Sequence, residues 1–121
     1  MLNKIYVGHN TKFDYITELY NPLKQSKLSK EFKLIFPHEN SLNYFNSKKA
    51  LKTCKFMLAE VSTSTIGLGI ELGWADLYDV KIICLYKKGS KISKSLEVVS
   101  SNFVEYENSK DLIEKLKKIL K

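Results

Sequence analysis

Short unbroken apolar runs alternate along this chain with stretches in which apolar residues recur every three or four positions. The runs are Lys4-Ile-Tyr-Val-Gly-His9, Phe32-Lys-Leu-Ile-Phe36, Phe56-Met-Leu-Ala-Glu-Val61, Val80-Lys-Ile-Ile-Cys-Leu-Tyr86 and Asn102-Phe-Val-Glu-Tyr106. Their length and bounding turn residues predict strands. Pro37 stops the second, the fourth reads as buried on both faces, and the last reads as an edge strand. Between them Phe13, Ile16, Leu19, Tyr20 and Leu23 predict a helix capped at Asn10-Thr11, with Pro22 near its end. A Lys- and Ser-rich linker follows. Leu42, Phe45, Ala50 and Leu51 give a second helix, Ile70, Trp74, Leu77 and Tyr78 a third, and Ser95-Leu96 a short one. Leu112, Ile113, Leu116, Ile119 and Leu120 form the apolar stripe of a closing helix from Asp111 to Leu120.

Strands alternating with helices imply an α/β fold with a parallel sheet and right-handed crossovers. The expectation is one domain over residues 1–121, a flavodoxin-like or Rossmann-like three-layer sandwich with five parallel strands in the order 2-1-3-4-5. That order puts the switch point between the first and third strands. The loops after Gly8 and after Val61 then face one another at the carboxyl edge, where ligands bind in such sheets.

The stretch from Phe56 to Ala75 supplies the candidate chemistry. It is a strand, a Ser/Thr/Gly turn and a helix whose free N–H groups point into the same crevice. Gly67 and Gly69 let a ligand approach the backbone. Ser62, Thr63, Ser64 and Thr65 carry hydroxyls that either cap the helix or donate to an anion. Glu71 sits just inside the helix, as a dipole-stabilised carboxylate or a reactive one. The expected pocket is lined by Tyr6, Gly8, His9, Asn10, the Ser62 to Gly69 loop and Glu71. Glu60, ending the central strand, reads as a structural acceptor or a catalytic acid, and His9 and His38 as turn residues or acids. Trp74 reads as core or subunit contact.

Composition narrows the function classes. A chain of 121 residues, 44% hydrophobic and 12% aromatic, can bury the core of one domain. No apolar run reaches the length of a membrane span, and the opening residues are too short a run for a signal peptide, so a cytoplasmic protein without membrane contact is expected. The two cysteines, Cys54 and Cys84, form no Cys-x-x-Cys pair and read as free thiols. With only two histidines besides, no zinc spacing exists, and neither metal nor cofactor is expected. The net charge of +7 comes from lysine runs interleaved with apolar residues, and arginine is absent. That argues against a nucleic-acid polymer as partner, while the field still draws in a small anion such as a nucleotide.

Ala59-Glu-Val-Ser-Thr-Ser-Thr-Ile-Gly-Leu-Gly-Ile-Glu-Leu-Gly73 resembles the central motif of the nucleoside 2-deoxyribosyltransferase superfamily, which includes the 2′-deoxynucleoside 5′-monophosphate N-glycosidases. Ile5-Tyr-Val-Gly8 is similar to that family's first strand and Lys81-Ile-Ile-Cys-Leu-Tyr86 to its next. The resemblance implies cleavage or transfer of the N-glycosidic bond of nucleosides or their 5′-monophosphates. Glu71 matches the nucleophile that attacks the anomeric carbon, and Tyr6 the tyrosine beside it. Gly8 matches the adjacent turn, Thr65 a position where relatives have either a serine that helps hold a 5′-phosphate or, in the nucleoside transferases, an aspartate, so that a hydroxyl here favours phosphate, and Asn10 a polar residue on the phosphate side. Ser95 roughly matches a serine given by a neighbouring subunit, so a homodimer or larger homo-oligomer is implied. Where relatives place an aspartate that protonates the leaving base, this chain has Asn43, Asn46 and Ser47, leaving Glu39, His38 or His9 for that task. A non-catalytic nucleotide-binding or signalling module on the same scaffold is the alternative. A phosphoacceptor receiver domain is disfavoured, because no acidic pair ends the first strand.

Overall fold

Five parallel strands pair in the order β2-β1-β3-β4-β5 in the computed structural model, which describes residues 1–39 and 45–120. They are β1 (Lys4–His9), β2 (Lys33–Ile35), β3 (Phe56–Glu60), β4 (Lys81–Lys87) and β5 (Asn102–Tyr106). The expected sheet and order are therefore present, and β2 is a short edge. Registration sets Gly8 against Ala59 and His9 against Glu60, so β1 and β3 end at one level across the switch point.

Side chains alternate across this sheet, giving two cores. Ile5, Val7, Leu58, Ile83, Leu85 and Val104 face one layer, packed against Leu19, Tyr20 and Leu23 and against Leu112 and Leu116. These come from a π-helical turn (Ile16–Tyr20) that runs into α1 (Asn21–Gln25), and from α5 (Ser109–Ile119). Tyr6, Met57, Ala59, Ile82 and Cys84 face the other layer, against Leu51 of α3 (Ser47–Leu51), Leu68, Leu72 and Ala75 of α4 (Ile66–Leu77), and Leu96 of a 3-10 helix (Lys94–Val98). Tyr6 and Gly8 share parity, so both look toward α4. That single fact places the first strand's tyrosine beside the helix that carries Glu71.

Several expectations need correction. The first helix begins at Ile16 rather than Phe13, and Asn10 does not cap it; Asp14 Oδ1 accepts from Thr17 N there, at 3.2 Å. The Lys- and Ser-rich linker contains a helical turn, α2 (Leu28–Glu31). The second helix is only α3, capped by Asn46, whose side chain accepts from Lys49 N; Leu42 and Tyr44 lie outside the described residues. The third helix exists, but its buried face is Leu68, Leu72 and Ala75. Ile70 and Leu77, read as its inner stripe, are 48% and 72% exposed. Cys54 and Cys84 are free thiols.

Candidate active site

A cavity of about 500 Å³ opens at the carboxyl edge beside the switch point. Its wall is built by the end of β1 (His9, Asn10, Thr11), the turn after β2 (Pro37, His38), the approach to α3 (Phe45, Ser47) and the start of α4 (Thr65, Gly67, Leu68, Glu71). The volume lies in the range of small-molecule sites. A second cavity, about 570 Å³, sits at the opposite edge between Lys4, Lys33 and Phe32, and among the described residues no carboxylate lines it.

The central contact joins Tyr6 and Glu71. The Tyr6 hydroxyl lies 2.5 Å from Glu71 Oε2 and 2.7 Å from Ser47 Oγ. A phenol has one proton, and a carboxylate can only accept, so Tyr6 donates to Glu71 and Ser47 donates to Tyr6. Burial, then the neighbouring Glu71 charge, pushes the Tyr6 phenol well above the ordinary tyrosine range, so it remains a donor. Glu71 lies in the second turn of α4, beyond the reach of the helix dipole. Its position is set by Tyr6 instead. Gly8 is buried in the strand rather than standing at a turn: a methyl there would meet Met57 Cε at 2.6 Å and come within 3.5 Å of Glu71 Oε1. Backbone alone fits under the carboxylate.

A second network holds the rim. His9 is 4% exposed, with Nδ1 2.6 Å from the Asn10 carbonyl and Nε2 2.6 Å from the Tyr20 hydroxyl. The carbonyl can only accept, so Nδ1 carries the proton and Tyr20 donates to Nε2. Tyr20 in turn accepts from the His38 N–H at 3.1 Å. Burial lowers the His9 imidazole to about 4, opposed by its bond to Asn10. Asn10 is buried, donates to the Thr63 carbonyl at 3.0 Å and accepts from Lys12 N at 2.7 Å, clamping the loop after β1 to the loop after β3.

The loop after β3 is divided in its duties. Glu60, 1% exposed, accepts from Ser62 N at 2.7 Å, from Ser62 Oγ at 3.1 Å and from the Tyr106 hydroxyl. Ser62 also accepts from Lys87 N at 2.8 Å. Glu60 and Ser62 thus tie β3 to β4 and β5, and they line a separate small cavity with Asn10 and Thr63. Thr65 caps α4, accepting from Leu68 N at 3.3 Å, and lines the Glu71 cavity with Gly67. Ser64, Gly69 and Ser95 face a different groove, between α4 and the 3-10 helix. The structure therefore gathers Tyr6, Gly8, His9, Asn10, Thr65 and Gly67 around Glu71, and sets Ser62, Ser64, Gly69 and Ser95 apart from it within one chain. Ser47, Phe45 and Tyr20 were not read from the sequence as pocket residues: Ser47 stood out only as a hydroxyl where relatives place an acid, and Phe45 and Tyr20 read as the apolar faces of helices. Among the described residues no group of three or more histidine, cysteine or acidic side chains is arranged to hold a metal.

Fold and site together define a doubly wound α/β protein with a tyrosine-held carboxylate at the switch point. Two solved structures share the fold over nearly the full chain. One is a CMP N-glycosidase from Clostridium botulinum, BcmB, at 22% identity and TM-score 0.66, covering 95% of this chain and 99% of that one. The other is a conserved protein from Enterococcus faecalis V583, at 18% identity and TM-score 0.65, covering 98% and 99%. No family model and no curated protein matches the sequence.

Proposed function

We propose that this chain cleaves the N-glycosidic bond of a nucleoside 5′-monophosphate, passing the sugar to water or to a second base through a glycosyl ester on Glu71. The observation that carries this reading is the Tyr6–Glu71 contact of 2.5 Å at the wall of the switch-point cavity. Supporting it are the resemblance of the Ala59 to Gly73 segment to the nucleoside 2-deoxyribosyltransferase superfamily and the fold shared with a protein described as a CMP N-glycosidase.

The chemistry follows from the donors. Glu71 attacks C1′ while the bond to the base breaks, through an oxocarbenium-like transition state that a nearby carboxylate stabilises. Tyr6 first aims the carboxylate. When water or an acceptor base attacks C1′, the same O–H donates to the departing Glu71 and assists the second step. Thr65, Gly67 and the first-turn N–H groups of α4 form a cradle for the 5′-phosphate, and among the described residues no lysine lines the cavity. Phe45, 38% exposed, offers a face on which a base can lie.

The reading extends to a homo-oligomer. Ser95 is exposed, and the outer face of α4 presents Ile66 and Leu77 at 85% and 72% exposure, with Val98 of the 3-10 helix at 82%. A second copy on this face would bury these residues and bring a foreign Ser95 toward the site. The non-catalytic alternative rests on one observation: among the described residues, Glu71 is the only carboxylate in the cavity lining. Chromatography of free base after incubation with deoxy- and ribonucleosides and their 5′-monophosphates, with and without acceptor base, decides between them. Release that disappears in Glu71→Gln supports the enzyme; ligand binding without release from any member supports the module.

A further inference from the structure

A nucleobase leaves poorly as an anion, and a glycosidase of this kind needs a proton delivered to it. Resting on the glycosidase reading above, we propose that His38 is that proton donor. In the first displacement the Glu71 oxygen bonds to C1′ and the C1′–N bond breaks. Its electron pair goes to the base, a ring nitrogen or carbonyl oxygen of the base takes the proton from the His38 imidazolium, and neutral imidazole remains. In the second, water attacks C1′, the Glu71 ester bond breaks with its electron pair returning to the carboxylate, and His38 takes the proton from the water.

Among the described residues, the other candidates are committed elsewhere. His9 has both ring nitrogens engaged, by the Asn10 carbonyl and the Tyr20 hydroxyl, and is buried. The Tyr6 proton is held by Glu71. Glu39 is exposed, paired with Lys24, and absent from the cavity lining. Ser47, Thr65 and Thr11 carry hydroxyls too weakly acidic for the task. His38 lines the same cavity as Glu71, is half-buried, and its imidazole has no hydrogen bond to another described residue.

The fold explains its place. Ile35 pairs with Tyr6 at the end of β2, Pro37 stops the strand, and the next residue hangs over the carboxyl end of β1. Its main-chain N–H is anchored to Tyr20, and its ring sits edge-on to His9 with centroids 5.2 Å apart and tilted against Tyr15 at 5.9 Å. The titratable groups facing it are His9 of β1, Tyr15 just before the π-helical turn, Tyr20 at its end and, across the cavity, Glu71; Glu39 follows it in the chain. His9 is engaged at both ring nitrogens, which leaves His38, among the described residues, as the imidazole of that cluster with no hydrogen bond of its own.

The test is His38→Gln across 5′-monophosphates of uracil, 5-fluorouracil and 5-nitrouracil, which leave with increasing ease. Loss of kcat of about 10²- to 10⁴-fold is expected on uracil. The loss should shrink at least about tenfold for 5-nitrouracil, whose anion departs without help. Turnover of that last substrate also certifies that the variant is folded. An equal loss on all three bases, or none, overturns the assignment. If the wild type matches Glu71→Gln and releases no base from any of them, the glycosidase reading itself fails, and the assignment with it.

Discussion

Tyr6 is buried to its hydroxyl, and that hydroxyl is shared between a carboxylate and Ser47. In Tyr6→Phe the ring still fills its place among Met57 and Ala59, but Glu71 loses its donor. A hydrogen bond to a charged group contributes about 1.5–3 kcal/mol, so kcat should fall roughly 10- to 100-fold with the fold intact, read by steady-state kinetics beside circular dichroism. His9 gives a different signal at the same scale. Its imidazole is lowered from 6.5 to about 4 in the folded chain, so the unfolded chain binds the extra proton between those values. Its contribution is therefore complete above pH 6.5 and is lost as pH falls toward 4. At about 1.4 kcal/mol per unit, the loss amounts to a few kcal/mol, and His9→Gln should flatten denaturant-derived stability across that window. An unchanged slope would show that His9 is protonated in the native state.

At the scale of elements, the strands were legible because each is an apolar run of strand length, and Pro37 marked an end. Alternation with helices implied a parallel sheet, and the order 2-1-3-4-5 is a common arrangement of such sheets. The site was legible where chemistry and topology coincide: Glu71 after the Gly67-Leu-Gly69 segment in the first turn of α4, and Tyr6 on the strand facing it. What escaped was orientation. α4 is apolar on both faces, with Ile66, Ile70 and Leu77 outside and Leu68, Leu72 and Ala75 inside, so periodicity could not identify the inner stripe. The π-helical turn was equally hidden, because the spacing of Ile16, Leu19 and Tyr20 suits an α-helix as well. Contacts such as Ser47 with Tyr6, 41 residues apart, depend on packing that no local pattern encodes. Thr65 shows how an element serves the site. Thr65→Ala removes the α4 cap and should lower stability by about 1 kcal/mol, with Thr65→Ser recovering most of it. Thermal denaturation of the pair checks this, and Thr65→Asp, which keeps a capping oxygen but sets a negative charge against a phosphate, should raise the Michaelis constant for monophosphate with stability retained.

The whole molecule places opposite demands on the two faces of α4. The inner face supports Glu71, and the outer face leaves an apolar strip in water, which a second copy would cover. Ile66→Asp combined with Leu77→Asp should yield a folded chain of lower mass by sedimentation, with activity reduced if a partner's Ser95 completes the site. A wild type that sediments as a monomer at all concentrations would contradict that expectation. Among the described residues no helix is long and apolar enough to cross a membrane and no lysine lines the cavity, although the chain carries a net charge of +7. The account stands most directly on the covalent role of Glu71. Intact-mass and peptide mapping after incubation with a 2′-deoxy-2′-fluoroarabinosyl nucleoside 5′-monophosphate tests it, since fluorine at C2′ slows hydrolysis of the glycosyl ester. An adduct of one fluorosugar phosphate on the peptide carrying Glu71, absent in Glu71→Gln, is the expected result. Base release that persists in Glu71→Gln, or an adduct on another residue, would contradict it.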